Sequence, residues 1–176
     1  MTEEKSALTA VFHAQPDEAG ATIRATACSR RKLRAMYRHD FILRLIERFG
    51  TALRSLRDRI LRREREDLSA RAEIVEIAQQ AGLDLAVART LTPDLLLMWL
   101  APTGEVDAAK FWLMAELLYL DGLDTRASGG EGWRAGLERA STLLTRLDPS
   151  WRPGDRFTSA GERVAEIKVL LDPAEA

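Results

Sequence analysis

Apolar residues recur along most of this chain at the three- and four-residue intervals of an α-helix. The clearest run is Ile42, Ile46, Phe49, Leu53, Leu56 and Ile60, which draws one stripe close to a heptad seam. Asp40 is a good N-cap and predicts that this helix opens there. The pattern carries it to about Arg63, with Gly50 inside it at a cost of about 1 kcal/mol relative to Ala. Two uses of the stripe are open. It packs on its own domain, or it is an association seam for a partner or a second copy.

Further helices follow. Residues 69–81 place Ala70, Ile74, Ile77 and Ala78 inward, and Gly82 ends the pattern as a C-terminal cap. Asp84 opens a short helix with Leu85, Val87, Ala88 and Leu91. Thr92-Pro93-Asp94 is a strong start signal, because Thr caps, Pro fits the first helical position and Asp suits the positive end of the dipole. It introduces a very apolar piece, Leu95 to Leu100, stopped by Pro102 and Gly104. Val106 to Leu120 is apolar on nearly every face, which marks a central core helix ended by Gly122. Glu116 lies inside it, as a paired structural group or as a site residue. Ser128 and Glu131 have the spacing of a capping box ahead of Trp133, Leu137, Ala140, Leu143, Leu144 and Leu147. Ser159 and Glu162 repeat it ahead of Val164, Ile167, Leu170 and Leu171.

No alternating stretch of useful length predicts a strand. The expected fold is therefore all-α, six or seven helices in an irregular bundle. Residues 1–35 contain Pro16, Gly20 and several Ser and Thr residues. They predict a loose N-terminal arm, partly disordered or docked, ahead of a single helical domain over 36–172 and a short tail at 173–176.

Charge changes this picture. The net charge of −1 conceals blocks: residues 24–71 hold 15 Lys/Arg against 6 Asp/Glu, and residues 72–176 hold 10 against 17. The basic block either folds against the chain's own acidic half or meets an acidic partner. Arg44, Arg48, Arg54, Arg62 and Arg65 fall mostly opposite the apolar stripe and form a candidate basic contact surface. Nucleic acid is one partner such a surface could take. The four Trp residues all lie in the acidic half, which argues against a base-stacking surface.

Candidate chemistry is sparse. There are two His residues, His13 and His39, and one Cys, Cys28. No metal-ligand spacing, calcium loop or complete phosphate loop is present, and Gly129, Gly130, Gly132 and Gly136 read as a loop and a helix start. No catalytic, cofactor-binding or metal-binding residues are predicted, and no cofactor. No apolar run has the length of a membrane span, so no membrane partner is expected. With a lone Cys and no secretion signal at Met1, the expected compartment is the cytoplasm.

The stretch from Met36 to Gly50, with Tyr37-Arg38-His39-Asp40 ahead of a long helix, resembles the opening of a family of small uncharacterised bacterial helical proteins, a domain of unknown function. The resemblance implies a bacterial source, a start near Met36 and a helical tail, and it brings no catalytic residues. Residues 115–149 are similar to one tetratricopeptide-type helical hairpin, with Leu117, Leu118, Tyr119 and Gly122 in the first helix and Leu137, Ala140, Leu147 and Pro149 in the second. One such hairpin cannot bury both its faces and has to pack on neighbours. The function expected from all this is a non-catalytic protein–protein interaction or adaptor module, with a protein partner or a homo-oligomer. The alternative is a nucleic-acid-associated regulator using residues 24–71.

Overall fold

A computed structural model describes residues 18–62 and 69–172, with side chains from Asp40 onward. The expectations for residues 1–17, for His13, Cys28, His39 and Arg65, and for the tail at 173–176 lie outside the described residues and side chains. Among the described residues there are seven α-helices: α1 (Glu18–Arg62), α2 (Ser69–Gln80), α3 (Leu85–Thr90), α4 (Pro93–Leu100), α5 (Ala108–Ala127), α6 (Trp133–Leu144) and α7 (Ala160–Leu171). The protein is an all-α bundle. Its chain divides into two compact units, Met1–Met36 and Tyr37–Ala176.

In the first unit, α1 begins at Glu18 rather than at Asp40. Residues 21–39 contain no Gly or Pro and many Ala, Arg and Lys, so helix propensity carries the backbone straight through the residue expected to cap it. In the second unit, Ile42, Ile46, Leu53, Leu56 and Ile60 enter the core, and Phe49 packs against it partly buried. The stripe therefore packs on its own unit.

The core centres on α5, where every residue from Phe111 to Leu123 is buried. The helix runs through Gly122 to Ala127, seven residues past the expected end. Gly122 does not stop it, because glycine costs a helix interior only about 1 kcal/mol and here the missing side chain is useful. A Cβ on Gly122 would meet the Leu137 side chain at 3.0 Å, and one on Gly136 would meet the Gly122 Cα at 3.6 Å. Two glycines thus let α5 and α6 cross closely. Ser128 caps the C-terminus of α5, its hydroxyl donating to the Asp124 carbonyl, so the capping box expected at 128–131 does not form. Helix α6 is instead preceded by Gly132 at φ 84°, a conformation that favours glycine.

Other signals hold. Asp84 and Thr92 cap α3 and α4, and Ser159 with Glu162 forms the complete box on α7. Gly82 takes φ 66° after α2, and the next amide, Leu83, donates back to the Ala78 carbonyl at 2.8 Å. Among the described residues no helix is long and apolar enough to cross a membrane.

Candidate functional site

Helix α4 has only eight residues, and six of them, Leu95 to Leu100, are apolar. A helix has one face toward its core, so so apolar a piece cannot bury every side chain. Leu96 and Leu100, four apart, are buried. Leu95, Met98 and Trp99 share the opposite side and are 50%, 68% and 39% exposed. Val106, just beyond the helix, is 45% exposed. Seven large apolar residues are exposed among the described ones, and these four fall within twelve positions, three of them on one face of α4.

The platform beneath the patch is fixed. The Thr92 hydroxyl accepts from the Leu95 amide, Arg139 Nε donates to the Leu91 carbonyl at 2.6 Å, and Lys110 Nζ donates to the Leu100 carbonyl at 3.0 Å. The C-terminus of α4 is thereby tied to α5, and the junction between α3 and α4 to α6. A rigid, apolar, exposed helix face is what a partner helix or extended segment docks against.

The second cluster of polar chemistry is interior. Arg163 of α7 meets Glu116 of α5 through two parallel bonds, Nε to Oε2 at 3.0 Å and Nη2 to Oε1 at 2.7 Å. Both residues are buried. Arg163 also pairs with Glu166 one turn on, and its guanidinium lies 4.3 Å over the Tyr119 ring. Glu166 Oε1 accepts from Arg57 of α1 at 2.6 Å and from the Tyr119 hydroxyl at 2.5 Å. Two guanidinium groups face two carboxylates, so the cluster is neutral as a set.

Its electrostatics follow from burial against pairing. Burial pushes the Glu116 carboxyl upward and outweighs the opposing pull of Arg163. Burial pushes Glu166 the same way, but bonds from Tyr119 and Arg57 and the charge of Arg163 overcome it and hold it below the ordinary range. Tyr119 rises to about 12, first through burial and then through its bond to the Glu166 carboxylate. These groups bond one another and tie α1, α5 and α7 together, with Arg57 Nε left buried without a hydrogen-bond partner. Of the two roles open to Glu116, the geometry displays the paired structural one.

The expected basic surface is partly assembled. Arg44, Arg48, Arg54 and Arg62 are exposed on α1, within an arc of about 120° at 3.6 residues per turn. Arg48 lies over Phe49, and Arg54 lies 5.7 Å over Phe157. A shallow concavity of about 540 Å³ is lined by Thr51, Arg54, Ser55, Asp58, Arg59 and Arg62. Arg59 is occupied with Glu73 of α2 at 2.5 Å, and Arg57 with Glu166, so part of the basic block is neutralised by the acidic half.

The sequence reading missed the α4 face. The available signal was the contrast between six consecutive apolar residues and the two that a short helix can point inward. Comparison with models of known protein families, with curated proteins and with solved structures gives no match.

Proposed function

We propose that this protein is a non-catalytic helical interaction module that engages a protein partner through the exposed face of α4. One observation carries the reading: Leu95, Met98 and Trp99 form an exposed apolar face on α4, a helix held by bonds from Lys110 to its last carbonyl and from Arg139 to Leu91 just ahead of it. Trp and Met suit such a role, Trp for its large contact area and Met for its adaptable shape. The stripe on α1 is not the binding surface in this reading, because its residues lie within the core. A photo-crosslinking residue placed at Met98 in the full chain, in its own cells, tests the reading. The expected result is a discrete protein adduct at 98 that is missing when the probe stands at the exposed Lys168. Equal labelling at both positions would sink it.

A second reading has its own support, the exposed Arg44, Arg48, Arg54 and Arg62. It is a nucleic-acid-associated regulator using residues 24–71. Phosphate contacts would make its binding fall steeply with salt. Absence of binding to duplex or single-stranded nucleic acid at about 50 mM salt rules it out.

A further inference from the structure

We infer that the occupant of the α4 face is a basic amphipathic helix of a partner protein. The inference rests on the interaction reading above and names the chemistry of the partner.

Charge carries it. Residues 90–109, which contain the whole patch, hold Asp94, Glu105 and Asp107 and no Lys or Arg. Asp94 and Glu105 are exposed at either end of the patch. Asp94 stands four residues before Met98 and so flanks it on the same side of α4. The cations bordering this stretch are turned to the chain itself. Arg89 Nε and Nη2 donate to the Asp121 carboxylate at 2.9 and 2.5 Å, Lys110 Nζ donates to the Leu100 carbonyl, and Arg139 Nε of α6 donates to the Leu91 carbonyl. The exposed charged side chains of this stretch are thus Asp94 and Glu105, both carboxylates.

An acidic partner would bring like charges together at these carboxylates, which is costly. A partner with an apolar stripe flanked by Lys and Arg fits instead. Its long side chains cover apolar surface with their stems and leave their charges beside Asp94 and Glu105. An Arg can also lie over the exposed face of Trp99. A helix suits the patch because Leu95, Met98 and Trp99 offer a ridge that i, i+3 and i+4 residues of another helix interlock with. A second copy of this chain fits less well. Its described Arg-rich helix, residues 40–62, has its apolar stripe packed in its own core, and its exposed large apolar residues, Phe41 and Leu61, stand twenty positions apart and make no stripe beside the arginines.

The test uses the full chain and two synthetic helices of about five turns. Each has a Leu stripe, one with Lys on its remaining positions and the other with Glu. Binding is read by anisotropy of the labelled helix. The Leu/Lys helix is expected to bind about tenfold or more tightly than the Leu/Glu helix. Met98→Asp and Trp99→Ala are each expected to weaken it by about tenfold or more. Asp94→Lys with Glu105→Lys, both at exposed positions, is expected to reverse the preference while circular dichroism stays unchanged and the melting point falls only slightly, through the loss of Asp94 from the first turn of α4. Equal affinity for the two helices, or no binding of either, overturns the inference, and the crosslink at position 98 then separately decides the interaction reading. Self-association abolished by Met98→Asp, without peptide binding, places a second copy on the face and also overturns the inference. Binding indifferent to Met98→Asp and Trp99→Ala, with no adduct at position 98, removes both.

Discussion

At the scale of single residues, Arg163 and Glu116 need each other. Removing one partner of a buried pair leaves an uncompensated charge, so Arg163→Met should lower stability by about 3–5 kcal/mol. Replacing both, as in Glu116→Leu with Arg163→Met, should recover most of that loss, since two apolar groups leave no charge stranded. Urea unfolding of the two variants checks this, and equal losses would mean that the pair is not the source of the cost. Tyr119 gives a pH prediction with a definite sign. Its folded value is raised from 10.0 to about 12, so its contribution is fully present below pH 10 and disappears as the pH rises toward 12. The amount is on the order of 2 kcal/mol. Tyr119→Phe should unfold with less dependence on pH across that window than the parent. Identical alkaline profiles would show that the hydroxyl does not titrate as its burial dictates.

At the scale of elements, Gly50 shows how a local rule is overruled. Helix propensity alone says that Gly50→Ala should stabilise α1 by about 1 kcal/mol. A Cβ there would stand 2.5 Å from the tip of the Phe157 ring, which is itself set edge-on against Trp112 with centroids 5.3 Å apart. Crowding of this kind costs about 1–3 kcal/mol, so Gly50→Ala should lower the unfolding midpoint. Adding Phe157→Leu should relieve the penalty, a coupling that a double-mutant cycle reads directly. Sequence could not foresee this contact, because 107 positions separate the two residues. It could foresee what depends on near neighbours. The caps at Asp84, Thr92 and Ser159 were legible, since each side chain bonds an amide three residues on. Ser128 and Glu131 carry the same local signal, yet Ser128 ends α5, because packing against α6 keeps that helix going through Gly122. The apolar stripe of α1 was legible as a stripe, but what covers it is a property of the tertiary fold.

At the scale of the molecule, the buried core of the described residues runs from Ile42 to Ile167. A chain trimmed to residues 37–176 keeps that core whole. It should unfold cooperatively and lose less than about 1 kcal/mol relative to the full chain. Loss of cooperativity in calorimetry would show that residues 1–36 are required for the fold. The charge blocks also acquire a meaning at this scale. Arg57 and Arg59 from the basic block reach Glu166 and Glu73 in the acidic half, so the folded unit neutralises part of what the sequence separates. What stays outside includes exposed arginines on α1 and the exposed carboxylates Asp94 and Glu105 near the apolar face of α4.

The all-round burial of α5 also bears on how the chain is made. Its apolar faces from Phe111 to Leu123 are completed by α6 and α7, which are synthesised after it, ending at Leu171. At ordinary rates of translation that interval is roughly 2–10 s. For those seconds the most completely buried of the described helices has left the ribosome, or is leaving it, without its covering. Nascent chains stalled or cut short before α7 are therefore natural clients for chaperones.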